Sequence, residues 1–369
     1  MAGQVERLSD SAQLGTLQRM VLKPYLRRLI EQRASLTREE ARDLMRLVLQ
    51  MRASDIEIAT ILGALAARGE TSEEIAGFVD AMREAATVVP LHESERAQLV
   101  DTCGTGGDGA NTFNISTGAA LVAAAAGAKV AKHGNRAVTS KSGSADVLEV
   151  LGIPVGLPPE EGAAAIRQQG FAYLHAPAMH PAMKAVMPVR RAIGVRTIFN
   201  LLGPLSNPAG ARAQVMGVYA ADRVPVVAEA MGLLGVRHAF VVHGYVDSER
   251  SAGMDELSVS GPSMVAEVRD GAVAYSTLMP EDVGVERSPI AMLRGGDALE
   301  NANILRAVFA GKPGPCRDVV VLNAAAVLVT AGWALDLRAG VALAQQTIDS
   351  GAVLSLLHTL GGTSLSIAT

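Results

Sequence analysis

Aromatic residues make up only 3% of this 369-residue chain, with a single tryptophan, so stacking platforms are scarce. Cysteine is rarer still. Cys103 and Cys316 are the only two, which is no disulfide framework, and a reducing compartment is the natural expectation. Positive charge does not dominate either: the net charge of -4 argues against a general nucleic-acid or membrane-surface binder. Long hydrophobic runs are missing. The most apolar stretch, Val319–Trp333, contains Asn323 and is too short to span a bilayer, so it reads as a buried helix. The N-terminal MAGQVERLSDS is charged early and lacks the apolar core of a signal peptide. A cytoplasmic protein with no membrane and no nucleic-acid partner is expected.

What is abundant is apolar residue of small size. Apolar residues form 49% of the chain, enough for a substantial core, and the length suggests one large domain with a smaller one. The first ninety residues repeat a capping residue followed three positions later by Glu: Thr37 with Glu40, Ser54 with Glu57, and Thr71 with Glu74. After the first of these, Ala41, Leu44, Met45 and Val48 share one helical face. The second helix is expected to end on a left-handed cap at Gly69. Residues 1–95 therefore read as a small helical domain.

Beyond Pro90 the pattern changes. Short β-type runs at Gln98–Asp101, Lys129–Ala131, Phe171–Leu174, Gln214–Tyr219 and Ala239–His243 alternate with helical stretches at Ser116–Ala126, Ala145–Leu151, Pro159–Gln169 and Val224–Leu234. That alternation predicts a larger α/β domain over 96–369, with a mainly parallel sheet covered on both faces. Asp270-Gly271, between Met264–Val268 and Val273–Tyr275, predicts an antiparallel hairpin. The last hundred residues read as mixed, with Val319–Trp333 their one clear helix.

Chemistry concentrates between Gly104 and Ser144. Asp101-Thr-Cys-Gly-Thr-Gly-Gly-Asp-Gly109 follows a predicted strand, and its glycines can turn successive N–H groups toward an anion. A tight turn without a ligand is the competing reading of that segment. Neither common nucleotide fingerprint is present. Asn114-Ile-Ser-Thr-Gly118 leads into an Ala-rich helix, so Ser116 or Thr117 stands at a helix N-terminus, either as an ordinary cap or as an anion site. Lys132-His-Gly-Asn-Arg136 and Thr139-Ser-Lys-Ser-Gly-Ser144 add cations, hydroxyls and freed amides. His133 is read as a loop donor or structural residue in preference to a base.

Charge points the same way. No Asp or Glu occurs between Gly109 and Ala145, or from Gly162 to Ala221, although both windows carry several Lys and Arg. Excluding carboxylates from two windows of an acidic protein suits an anionic ligand. A polyphosphate also needs a counter-ion, and Mg²⁺ favours one or two carboxylates with substrate oxygens and water. Asp255-Glu256 is the best candidate pair, though an adjacent acidic pair is commonly a solvated turn.

Gly-Thr-Gly-Gly-Asp (104–108), Asn-x-Ser-Thr (114–117), Lys-His-Gly-Asn-Arg (132–136), Ser-Gly-Ser-Ala-Asp (142–146) and Asp-Glu (255–256) occur in this order, with Arg190 and Gly203-Pro-Leu-x-Asn-Pro208. The joint set resembles the anthranilate phosphoribosyltransferases, from the N-terminal helices through at least Ser258. The resemblance implies a nucleoside phosphorylase/phosphoribosyltransferase-like fold, with helices near 178–202 joining the N-terminal bundle. It also implies Mg²⁺ dependence, a homodimer, and transfer of phosphoribose from phosphoribosyl pyrophosphate to the amine of anthranilate in tryptophan biosynthesis. Gly104, Gly107, Asp108, Thr112, Asn114, Ser116, Thr117, Lys132, Ser140 and Ser144 are then expected at the phosphorylated sugar, with Gly134 and Arg136 also among the substrate-binding residues. Ser116, Asp255 and Glu256 are expected at the metal. Asn135, Arg190 and His133 form the expected acceptor and catalytic set, with the Pro177–Met183 loop beside them.

Two features depart from the family pattern: a longer stretch from His243 to Gly253, and Met183 where some relatives carry an aromatic. The competing enzyme reading is a pyrimidine nucleoside phosphorylase, which does not require the Asp-Glu pair. The competing non-enzyme reading is a nucleic-acid-binding relative of the same fold, which the net charge opposes.

Overall fold

The computed structural model describes residues 22–137, 141–250 and 252–362. The chain divides into two compact units, Met1–Ala86 with His180–Leu202 and Thr87–Met179 with Gly203–Thr369.

The first unit is helical, and its helices begin where the caps dictate. Helices Arg38–Leu49, Asp55–Arg68 and Ser72–Glu84 each start at a reciprocal capping box, on Thr37, Ser54 and Thr71. Ala41, Leu44, Met45 and Val48 are all buried. Glu74 goes beyond capping. Fully buried, it accepts from Thr71 N at 2.9 Å and Leu36 N at 2.8 Å, and pairs with Arg68. One carboxylate thereby ties two helix starts together. Gly69 has φ of 86° but ψ of 136°, so it leaves the helix into extended backbone and not the left-handed helical cap expected. The helix Met187–Ile193 carries Arg190.

The second unit is built on one sheet: β1 (Leu99–Gly104), β2 (Lys129–Gly134), β3 (Phe171–His175), β4 (Ala213–Gly217), β5 (His238–Tyr245), β6 (Gly253–Met254), β7 (Ser263–Arg269) and β8 (Ala272–Leu278). The order is β3-β2-β1-β4-β5-β7-β8, with β6 on β5. The first five strands are parallel, and the hairpin turning at Asp270-Gly271 adds the antiparallel edge. Residues 87–95 belong to this unit, where Arg167 Nε donates to Glu95 at 2.6 Å.

The last hundred residues are more helical than the mixed reading allowed, with helices at Ala298–Phe309, Pro315–Thr330, Leu337–Asp349 and Ala352–Gly362. From Val319 to Thr330 every residue is buried, so this helix is enclosed on all sides, as its apolar sequence requires. It packs on the helix Ile115–Ala125 and on β1, β4 and β5. At Gly118 a side chain would meet Leu305 at 2.7 Å and Val320 at 3.1 Å, so a glycine lets those helices close together. Among the described residues no helix is long and apolar enough to cross a membrane.

Candidate active site

The parallel strand order reverses between β1 and β4, and ligands of open α/β sheets bind beyond the carboxyl ends of the strands at such a switch point. Here the two strand ends are Gly104 and Gly217, paired in register. Both are glycine for one reason. A Cβ on Gly104 would collide with the Asp255 carboxylate, and one on Gly217 with the Asp255 backbone. Asp255 packs across both strand ends, on the face where either Cβ would project.

The glycine loop and the first helix then close on the acidic pair. Gly106, at φ of 71°, donates its N–H to Asp255 Oδ2 at 2.6 Å. Asp108 Oδ2 accepts from Asp255 N at 3.2 Å. Ser116 N, in the first turn of Ile115–Ala125, donates to Glu256 Oε1 at 3.0 Å. Lys132 is only 2% exposed; its Nζ donates to Thr102 O at 2.7 Å and Ser116 Oγ at 3.4 Å. Thr117 Oγ1 is buried without a hydrogen-bond partner among the described residues.

Burial drives the electrostatics. It raises the Asp255 carboxyl well above the carboxylate range, with the like charges of Asp108 and Glu256 adding to the effect. Glu256 is pushed up to about 7, again by burial first, against the pull of Lys132 and the Ser116 N–H. A divalent cation would relieve this crowding of carboxylates, so the residues fit one. Among the described residues no three His, Cys, Asp or Glu side chains group to hold a metal alone.

The end of β2 is equally constrained. His133 N donates to Asp101 Oδ1 at 3.2 Å, and Asn207 Nδ2 donates to Asp101 Oδ2 at 2.8 Å. His133 Nδ1 lies 3.1 Å from Gly203 O; a carbonyl only accepts, so Nδ1 carries the proton and the ring is pinned. The Gly203–Pro208 run thus holds His133 from two sides, which favours the structural reading over a base. Asn135 Oδ1 accepts from Arg136 N at 2.8 Å. Ser144 Oγ lies 3.0 Å from the Tyr173 hydroxyl and 3.3 Å from Asn135 O. A Cβ on Gly134 would sit 2.5 Å from Ser144 Oγ.

Other expected residues fall differently. Arg136 turns its guanidinium to Asp146 at 3.0 Å and Glu149 at 2.5 Å, so its charge is already spent on two carboxylates. Arg167 and Arg212 likewise pair with Glu95 at 2.6 Å and Glu93 at 2.5 Å. The charge windows are acid-free along the chain but not in space. Ser140 lies outside the described residues. Thr112 bridges to Arg294, and Asn114 Oδ1 accepts from Asn301 Nδ2 at 2.9 Å. Asn207, from the Gly203–Pro208 run, and Asn301, which no sequence motif marks, both support the site.

Arg190 lies in the helical unit, half-buried, with its guanidinium 5.3 Å from the centre of the Phe199 ring. It forms no ion pair among the described residues, and burial lowers its pKa.

Residues 23–86 match the model of the glycosyl transferase family, helical bundle domain, and residues 96–354 that of the glycosyl transferase family, a/b domain. The anthranilate phosphoribosyltransferase of Symbiobacterium thermophilum is 51% identical over 337 residues, covering 91% of this chain and 96% of its own. The chain belongs to the anthranilate phosphoribosyltransferase family.

Solved structures of that family agree. The anthranilate phosphoribosyltransferase of Thermus thermophilus superposes with a TM-score of 0.83 at 45% identity, over 89% of this chain and 95% of its own. The Saccharomyces cerevisiae enzyme, in complex with PRPP and Mg, gives 0.83 at 28% identity, over 93% and 98%. The small helical and larger α/β parts, with a mostly parallel sheet, are those of the family, and this anthranilate phosphoribosyltransferase homologue is accordingly a transferase.

Proposed function

We propose that the chain transfers phosphoribose from phosphoribosyl pyrophosphate to the amine of anthranilate, with Mg²⁺, in tryptophan biosynthesis. The observation that carries this reading is the closure of glycine loop, helix N-terminus and acidic pair at one switch point, with Gly106 N–H 2.6 Å from Asp255 Oδ2. Ser116, Asp255 and Glu256 would hold the metal, which when bound neutralises charge on the leaving pyrophosphate.

The chain's own groups do the rest. Amides of the 104–109 loop, the Ile115–Ala125 N-terminus, the Thr117 hydroxyl and Lys132 would receive phosphate oxygens. Gly104, Gly107, Asp108, Thr112, Asn114, Gly134, Ser140 and Ser144 would line the same sugar phosphate, and Arg136 would contribute its backbone. As the bond from the anomeric carbon to pyrophosphate breaks, that carbon bonds the anthranilate nitrogen, which then gives its proton to water, and pyrophosphate leaves. The amine is already neutral near pH 7, so orientation matters more than a strong base. Arg190, a half-buried cation without a carboxylate partner, would take the anthranilate carboxylate, with Asn135 and His133 completing the acceptor side.

A homodimer and a cytoplasmic location belong to the same proposal; light scattering in solution tests the first. The activity is tested by following anthranilate fluorescence. Decay only when protein, phosphoribosyl pyrophosphate and Mg²⁺ are all present supports the transferase. Absence of decay, with phosphorolysis of a pyrimidine nucleoside instead, supports the phosphorylase.

A further inference from the structure

Asn323 is the one polar side chain between Val319 and Ala326, in the middle of a helix whose every residue from Val319 to Thr330 is buried. Burying an amide in apolar surroundings is costly unless its hydrogen bonds are made. At Asn323 they are made to both backbone groups of Leu257 and to its own helix. Oδ1 accepts from Leu257 N at 2.9 Å, and Nδ2 donates to Leu257 O at 2.9 Å and to Val319 O at 2.9 Å. The side chain is 1% exposed and so is Leu257. Such a two-point clasp is what a strand neighbour would supply. Here a rigid helix supplies it, to a segment that is not in the sheet.

Leu257 directly follows the Asp255-Glu256 pair. The other restraints on that pair come from the loop side: Gly104 and Gly217 leave room for Asp255, and the amides of Gly106 and Ser116 meet its carboxylate and that of Glu256. Gly244 leaves room for the Glu256 carbonyl. Those amides are the same groups proposed to receive phosphate, so a restraint independent of them is needed to keep the carboxylates placed when substrate binds. The Asn323 clasp is independent of them.

We propose that Asn323 is a positioning residue for the metal-binding carboxylates, acting through the Leu257 peptide. The inference rests on the metal reading of Asp255 and Glu256. Residues that orient metal ligands from behind commonly change metal affinity about 10–100-fold when replaced. Asn323→Ala and Asn323→Leu leave the Leu257 N–H and C=O without their partners. Asn323→Asp keeps an acceptor for the N–H and loses the donor to the carbonyl.

The test is Mn²⁺ binding followed by electron paramagnetic resonance, on the full chain with phosphoribosyl pyrophosphate present. The three variants should weaken Mn²⁺ binding about tenfold or more and raise the Mg²⁺ concentration for half-maximal turnover in parallel. The anthranilate KM should change less than twofold. Leu328→Ala, a cavity in the same helix, should lower the melting temperature without moving the Mn²⁺ affinity. Equal Mn²⁺ affinity in wild type and Asn323 variants overturns the proposal, as does the same loss in Leu328→Ala. Wild-type protein that binds no Mn²⁺ overturns the metal reading instead. Hydrogen exchange on the wild type needs no variant: the Leu257 amide should be among the slowest to exchange before any ligand is added. Rapid exchange there shows that the clasp is not formed in advance, and the proposal fails.

Discussion

Asp255 lies across the paired strand ends Gly104 and Gly217, at a point where a Cβ on either glycine would strike it. Two strands separated by 113 positions in sequence thus end in glycine to admit one acidic residue from a third segment. Gly104→Ala or Gly217→Ala should push Asp255 off its place. The expected result is a loss of kcat/KM of about 10–100-fold, the scale seen when the supports of metal ligands are removed. Circular dichroism should show the fold retained. Activity within twofold of wild type in both variants would show that Asp255 tolerates displacement.

Arg190 faces a different demand. Arg190→Ala should raise the anthranilate KM at least tenfold while leaving the phosphoribosyl pyrophosphate KM nearly unchanged, since a charge-assisted bond to a carboxylate contributes about 1.5–3 kcal/mol. Arg190→Lys should recover only part, because an ammonium cannot offer the planar two-point fork. Steady-state kinetics with each substrate varied separates these outcomes, and an unchanged anthranilate KM removes Arg190 from the acceptor site.

Asp101 sets a pH dependence of stability. Burial raises its carboxyl to about 6 from an ordinary 3.8, opposed by Lys132 and by the Asn207 amide. Because the folded value is the higher one, its contribution is fully present below the unfolded value and is lost as pH rises through about 6. Relative to Asp101→Asn, the wild type should therefore lose stability between pH 4 and 6, by an amount on the order of 3 kcal/mol, and run parallel above that. Urea unfolding of both proteins across this range is the measurement. Parallel curves throughout would mean that Asp101 titrates alike in the folded and unfolded chain, and a wild type that gains stability over this range would mean that its carboxyl is depressed on folding.

Glu74 concentrates stability in the helical unit. It serves the Leu36 and Thr71 N–H groups and Arg68 from a fully buried position. Glu74→Ala should cost about 3–5 kcal/mol, the range for removing one partner of a buried pair. Half-buried Glu57, which only caps its helix, should cost about 1 kcal/mol when replaced by Ala. Equal losses in thermal unfolding would show that Glu74 is no more than a cap.

What could be read from the sequence was what local chemistry determines. Capping boxes announce their helices because Thr71 and Glu74 are three residues apart, and the strand starts fall within a residue of the periodicity. The glycine loop, Ser116 and Lys132 were legible because each motif carries its own donors in sequence. The supports were not. Asn323 meets Leu257 across 66 positions and Asn301 meets Asn114 across 187, and no local pattern encodes such a pair. Arg136 shows the converse. Its sign was visible, but Glu149, which takes its charge, stands outside the acid-free window. Among the C-terminal helices, Ala298–Phe309 and Leu337–Asp349 do carry local signals, the Asp297–Glu300 capping box and the Asp336 cap, whereas Pro315–Thr330 has no side-chain cap and is held by packing on Ile115–Ala125 and Leu337–Asp349.

The central claim is transfer between two substrates at a site organised by Asp255 and Glu256. Its most direct test measures pyrophosphate released against anthranilate consumed, for the wild type and for Asp255→Asn/Glu256→Gln, with Mg²⁺ present. One pyrophosphate per anthranilate in the wild type, and neither change in the double variant, is the predicted result. Anthranilate loss without pyrophosphate, or undiminished turnover in the double variant, would contradict it.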